Sequence, residues 1–212
     1  MSINLVKLPT KKEGLCLRVC KGHFATSHSH INYYIDVTMQ KYRLSEARAV
    51  AQELCRDYKS TTIIDTILCL DGTEVIGACM ASELTKAGYM NMNAHQTIYV
   101  VTPEHTSGSQ LIFRDNTSGM IAGKHVLVLL SSVTTGFTGQ GALDAIRYYG
   151  GHTVGIGAIF ANTDSIDGVR VDSIFDSRDL ADYQSWDARD CPLCKEGRRL
   201  EALVNSHGIS AL

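Results

Sequence analysis

The segment 126–138, VLVLLSSVTTGFT, concentrates more chemistry than any other stretch of this sequence. An apolar run ends in Ser131 and Ser132, and Thr134, Thr135, Gly136, Phe137 and Thr138 lead from it into a helical pattern. At a strand-to-helix turn, unpaired backbone N–H groups converge where the helix dipole is positive. Neighbouring hydroxyls add donors, so the turn reads as an anion cradle suited to a phosphate. Gly136 lets the backbone come close to such a ligand. The same five residues also suit a plain N-capped turn that binds nothing. A G-x-x-x-x-G-K-[ST] loop is absent, and Gly139-x-Gly141 and Gly155-x-Gly157 fall inside a helix and a strand pattern. Neither is therefore a dinucleotide fingerprint.

Four further groups of residues could do chemistry. Asp71, Gly72, Thr73 and Glu74 form a turn whose two acids could serve a diphosphate with its magnesium ion, or could cap the helix that follows. Tyr33 and Tyr34 could stack on a planar base or pack a sheet onto the core. Cys191-Pro192-Leu193-Cys194 is half of a tetrahedral zinc site. Cys16, Cys20, His207 or a second chain are its candidate completions, and an ordinary turn with two free thiols is the simpler reading. His28-x-His30 puts two imidazoles on one side of an extended segment, as metal-ligand pairs or as hydrogen-bonded side chains.

These groups need elements to hold them. The pattern predicts a helix over 45–58 with Ser45 as its N-cap. A buried strand over 61–70, a helix over 74–88 with Gly88 just past its end, and a strand over 96–101 follow. The run SQLIF at 109–113 reads as a ribbon strand. Residues 124–132 form a near-continuous apolar run, as a strand covered on both faces should. A helix over 138–151, a strand over 152–161 and a weaker one over 170–176 complete the alternation. The fold class is therefore α/β, a mostly parallel sheet flanked by helices. The cradle falls at the carboxyl end of a central strand, where such sheets bind ligands.

Composition sets outer bounds. The chain has 212 residues, 44% apolar and 20% charged, with 20 Lys+Arg against 22 Asp+Glu. A net charge of −2 argues against a basic nucleic-acid module. No apolar stretch is long enough for a membrane span. The N-terminal MSINLVKLPTKKEG lacks the apolar region of a secretory leader, so the expected setting is cytoplasmic and the seven cysteines are expected to be reduced. Residues 1–43 read as an N-terminal hood segment, 44–180 as the α/β core and 181–212 as a tail, all in one structural unit.

The motif around Thr134–Thr138 resembles the loop that type I phosphoribosyltransferases use to hold phosphoribosyl pyrophosphate (PRPP). The resemblance extends to Gly22-His23-Phe24 and Asn32-Tyr33-Tyr34-Ile35-Asp36, similar to the hood of orotate phosphoribosyltransferases. It includes 70–77, at the place of the pyrophosphate loop, and the tail Cys191–Gly197. It implies transfer of phosphoribosyl from PRPP to orotate or a related base, with magnesium and a homodimer. Thr134–Thr138 would hold the 5′-phosphate, Ser131 and Ser132 the ribose, Asp71–Glu74 the pyrophosphate, and Tyr33 or Tyr34 the base.

Three departures accompany it. Ser131 and Ser132 replace two acids, removing charge that would grip ribose and steady an oxocarbenium-like centre. The family's lysine-rich mobile loop is here 101–108, where only Glu104 and Gly108 echo it. Arg114 and Lys124 are the nearest cations, and neither stands at a matching position. Thr26 stands where a basic residue is expected. Two function classes follow: a phosphoribosyltransferase, or a regulatory protein that binds PRPP or a nucleotide on the same scaffold without turning it over. A transferase with a different donor or acceptor is a third reading.

Overall fold

A computed structural model describes residues 4–9, 14–107 and 110–212. The chain begins with β1 (Val6–Pro9), β2 (Cys16–Ala25) and β3 (His30–Asp36), then α1 (Thr38–Tyr42) and α2 (Leu44–Tyr58). Next come β4 (Thr66–Cys69), α3 (Glu74–Leu84) and β5 (Tyr99–Val101). A ribbon of β6 (Glu104–His105) and β7 (Leu111–Ile112) leads to α4 (Asp115–Ser118). β8 (His125–Val133), α5 (Phe137–Tyr148), β9 (His152–Ala161), β10 (Ser165–Ile166) and β11 (Val169–Asp176) follow. β12 (Ser185–Trp186), α6 (Pro192–Lys195), β13 (Ala202–Asn205) and β14 (Gly208–Ala211) come last.

The central sheet has the order β10-β11-β9-β8-β4-β5, and every pairing in it is parallel except β10 with β11. β8 is apolar from Val126 to Leu130 because both its faces are covered. Leu127 and Leu129 pack in the cluster that holds α2 and α3, whereas Val126, Val128 and Leu130 pack with Leu143 and Ile146 of α5. This is the α/β layering expected from the strand–helix alternation.

The hood is a second sheet, ordered β12-β3-β2-β13-β14 with β1 also paired to β2. Its strands come from both ends of the chain. β13 runs parallel to β2, with Ala202 opposite Phe24 and Leu203 opposite Ala25. Phe24, Ile31, Tyr34, Ala202 and Val204 share the apolar cluster of α2 and α3, so the hood is packed onto the core.

Several expected boundaries shift, each for a local reason. Arg43, in extended backbone, precedes α2, and Ser45 lies inside the helix rather than capping it. Residues 61–65 are not strand. Asn93 Oδ1 accepts from the Ile64 N–H at 2.9 Å and Asn93 Nδ2 donates to the Thr62 carbonyl at 2.8 Å, so loop partners replace a ladder. α3 stops at Leu84, where Thr85 Oγ1 donates back to the Ala81 carbonyl at 2.8 Å. β5 begins at Tyr99 and the 109–113 ribbon is reduced to β7, with Ser109 outside the described residues.

α3 sits unusually close to the sheet because of Gly77. A Cβ there would overlap Cys69 Sγ and lie 3.2 Å from Val100 Cγ1. Gly77→Ala is expected to cost about 1–3 kcal/mol by overpacking, read as a lower urea midpoint with unchanged slope.

Candidate active site

A cleft of about 190 Å³ lies between the hood and the carboxyl end of β8. Its floor is the turn 134–136. Gly136 adopts φ +79°, and α5 begins at Phe137 without a side-chain cap. The Gln140 N–H donates to the Gly136 carbonyl at 2.8 Å, so the N–H groups of 137–139 precede the first helical bond of this end. Ile166 of β10 supports the turn from below: its Cγ1 lies 3.3 Å from where a Gly136 Cβ would stand, and its Cδ1 fills the space beside Gly139. Small residues at 136 and 139 are thus required for the β10–β11 hairpin to hold the cradle.

The hood supplies the opposite wall. Thr26, Ser27 and His28 form the β2–β3 turn, which Thr26 Oγ1 stabilises by accepting from the Ser29 N–H at 2.8 Å. The His28 ring lies 4.5 Å from that of Phe137, so the hood touches the cradle at the cleft mouth. Tyr33 and Tyr34 both border the cleft. The Tyr33 hydroxyl donates to Asp182 Oδ1 at 2.6 Å, with Lys21 paired to the same carboxylate. Tyr34 is buried, packs edge-on to Phe24, and its phenol is pushed up to about 12 by burial.

The two serines part company. Ser132 lines the cleft, whereas Ser131 is buried and its Oγ faces Asp71 Oδ2 at 3.5 Å. Consecutive strand residues point to opposite faces, so the two hydroxyls point apart. Of the turn 71–74, only Asp71 borders the cleft. Asp71 and Gly72 take φ +58° and +76°, and the Thr73 N–H donates to the Leu70 carbonyl at 3.2 Å. Both central residues at positive φ make a tight turn that Asp-Gly suits. Thr73 Oγ1 donates to the carbonyls of Leu70 (2.7 Å) and Leu129 (3.1 Å), tying the turn to β8. Neither Asp71 nor Glu74 caps α3: its N-cap is Thr73, and no side chain bonds there. Glu74 is exposed and accepts from Thr102 Oγ1 at 3.2 Å.

Two residues of this site went unread in the sequence. Lys41 is almost completely buried, and its ammonium donates to the carbonyls of Asp71 (2.8 Å) and Ser206. Burial pushes its pKa down, against the attraction of Asp71 and Glu74. Burial also holds the Asp71 carboxyl above its usual range. Tyr183 borders the cleft with a buried hydroxyl that has no hydrogen-bond partner among the described residues. No sequence rule marks a buried lysine or an orphan phenol, since both are set by distant chain segments.

Among the described residues that line the cleft there is no Lys or Arg. Arg114 is held by Glu104 across the ribbon at 2.6–3.1 Å, and Gly108 lies outside the described residues. Cys191 and Cys194 are not near Cys16, Cys20 or His207 as a ligand group; they stand with His23 and His30.

No protein-family model matches the chain. An orotate phosphoribosyltransferase of Pelotomaculum thermopropionicum is 26% identical over 180 residues, covering 83% of this chain and 85% of the relative. The Mycobacterium tuberculosis orotate phosphoribosyltransferase in complex with PRPP superposes with a TM-score of 0.51 at 17% identity. That match covers 69% of this chain and 82% of the other. An adenine phosphoribosyltransferase of Thermoanaerobacter pseudethanolicus gives 0.51 at 16% identity, over 68% and 88%. The chain resembles type I phosphoribosyltransferases in sequence and has their fold.

Proposed function

We propose that this chain transfers the phosphoribosyl group of PRPP to a nitrogenous base, orotate or a related ring, with Mg2+. The bond from ribose C1′ to the pyrophosphate oxygen breaks and a bond from C1′ to the ring nitrogen forms. The observation that carries this reading is the uncapped N-terminus of α5 at the base of a cleft roofed by the hood. It can anchor a 5′-phosphate through the backbone of Thr134–Thr138 without any lysine. Ser132 then reaches the ribose hydroxyls, and the Asp71–Gly72 turn, braced by Lys41, faces the pyrophosphate. Tyr33, Tyr34 and Tyr183 border the space left for the base. Positioning supplies most of the rate in such a site, since charge stabilisation from the protein is thin.

The donor set suits magnesium only in part. Among the described residues that line the cleft, Asp71 is the one carboxylate, and Ser132 lines the same cleft. Mg2+ is commonly held by one or two carboxylates plus substrate phosphates, so substrate oxygens would provide most of its ligands. When bound, it neutralises charge on the departing pyrophosphate.

A second reading is a nucleotide- or PRPP-binding regulatory protein, favoured by the absence of Lys and Arg among the described residues that line the cleft. In either reading the protein works in the cytoplasm, as a homodimer and without nucleic acid or membrane. No described helix is long and apolar enough to cross a membrane. Exposed Tyr89, Met90 and Met92, in the segment before β5, and Tyr99 of that edge strand offer apolar surface for a second copy.

Calorimetric titration with PRPP, with and without Mg2+, tests the transferase. Magnesium-dependent binding at or below ~100 μM, about −5.5 kcal/mol, followed by pyrophosphate release with orotate, is expected. Binding indifferent to Mg2+ and no release with any base would favour the regulatory reading, and no binding at all would remove both. The split between the serines sharpens this. Ser132→Asp is expected to strengthen magnesium-dependent PRPP binding about tenfold by adding a charged acceptor. Ser131→Asp is expected to give no such gain, because it buries a second carboxylate against Asp71, and one of the two must then stay protonated. Equal gains from both variants would contradict the assigned orientations.

A further inference from the structure

The β2–β3 hairpin and the tail meet in a cluster that the proposed reaction does not use. His23 Nε2 lies 3.3 Å from His30 Nδ1, 3.4 Å from Cys191 Sγ and 3.7 Å from Cys194 Sγ. Cys194 Sγ lies 3.4 Å from His30 Nδ1, and all four ligand atoms fall within 4.8 Å of one another. With Zn–N near 2.0 Å and Zn–S near 2.3 Å, a regular tetrahedron has N···N edges of about 3.3 Å and N···S edges of about 3.5 Å. The observed distances match those edges. A thiol is only a weak hydrogen-bond donor, and two thiols and two imidazoles converging on one point have no better shared partner than a borderline-soft cation.

The backbone is built to aim these atoms. The β2–β3 register slips between Lys21 and Phe24, a bulge that re-aims the residue it carries. Gly22 is required in it, since a Cβ there would lie 2.6 Å from the Phe24 ring and 2.8 Å from Glu201 Oε1. The segment 198–201 then clamps His23. Its N–H donates to Glu201 Oε1 at 3.0 Å, and its carbonyl accepts from the Glu201 N–H at 2.8 Å. His23 Nδ1 lies 3.1 Å from the Arg198 carbonyl. That contact places the ring proton on Nδ1 and leaves the Nε2 lone pair facing the cysteines, as metal-binding histidines are usually oriented.

We propose that His23, His30, Cys191 and Cys194 bind one zinc ion in a closed, structural Cys2His2 site. Two thiolates and two imidazoles satisfy a tetrahedral Zn2+ with no open position, so the ion does no chemistry on a substrate. Its function is mechanical. His23 and His30 are the two ends of the turn that carries Thr26, Ser27 and His28 into the cleft mouth. The ion fixes that turn and fastens α6 to it.

The test uses the untagged full-length protein. Elemental analysis is expected to find about one zinc per chain, and the chelated protein is expected to melt at lower temperature and recover on adding Zn2+. Co2+ added to the chelated protein is expected to give the intense visible bands of tetrahedral cobalt with thiolate charge transfer. Cys194 is exposed, so Cys194→Ser should fold. It is expected to weaken zinc binding by at least about tenfold and to diminish the charge-transfer band. Zinc far below one per chain, with no tetrahedral cobalt spectrum, overturns the proposal whether or not PRPP binds. So does zinc binding unchanged in Cys194→Ser.

Discussion

Gly136→Val is expected to reduce the affinity for PRPP and for inorganic phosphate by at least about a hundredfold, in a protein that still folds. Gly136 sits at φ +79°, where a β-branched residue is a true outlier. A left-handed conformation costs a side-chain-bearing residue about 1–2 kcal/mol, and the new Cβ would press on Ile166 at 3.3–3.4 Å. The turn escapes both penalties by rotating out of that conformation, which turns the N–H groups of 136–138 away from a common point. Misplacing a binding group by ~1 Å can cost a factor of ~100. The melting temperature should fall by only about 2–8 °C, since the turn is partly exposed and α5 remains packed through Leu143 and Ile146. Calorimetry with both ligands, beside a melting curve, checks this. Affinities within threefold of the parent in a folded variant would show that the ligand does not sit at the helix N-terminus.

Lys41→Met is expected to destabilise the protein by about 3–6 kcal/mol. Methionine matches the length of the side chain but donates nothing. The carbonyls of Asp71 and Ser206 would each lose a charged donor in a buried position, at about 1.5–3 kcal/mol apiece. That is a large fraction of a typical net stability of about 5–15 kcal/mol. Urea denaturation measures it, and a loss under about 1 kcal/mol would mean that the lysine is dispensable there. The pH dependence carries a sign. Burial lowers the folded-state pKa of Lys41 below its ordinary 10.5, so the unfolded chain binds more protons. The stability of the parent relative to Lys41→Met should therefore increase as pH rises from the folded-state value towards 10.5.

What the sequence made legible was local. Residues 152–161 and 124–132 read as buried parallel strands because their side chains are near-continuously apolar, and no tertiary detail is needed to see it. The cradle was visible for the same reason: Thr134–Thr138 adjoin both a buried strand and a helix start. Asn93, which turns 61–65 into loop, acts from about thirty residues away, and no propensity at 61–65 registers it. His28-x-His30 suggested a pair by its spacing, yet the turn sends His28 to Phe137 and His30 to His23. The cysteine pair was legible as half a site. Its partners were not, because the bulge and the 198–201 clamp that aim His23 are tertiary contacts. Strand alternation places Ser131 on the Asp71 side and Ser132 on the cleft side, a split that the shared spacing of the two serines does not show.

The parallel pairing of β13 with β2 has a consequence for how the molecule is made. These strands lie almost a whole chain length apart, whereas β8 to β11 are neighbours in sequence as well as in space. At translation rates of 5–20 residues per second, β2 would wait on the order of 10–30 s for its partner to be synthesised. During that interval one edge of the hairpin is open and its apolar face has only part of its cover, while the central sheet can already consolidate. The hood is thus the last part to close and the part most exposed to mispairing with another nascent chain. Interruptions of synthesis before β13 would leave an assembled centre bearing an adhesive, half-built sheet.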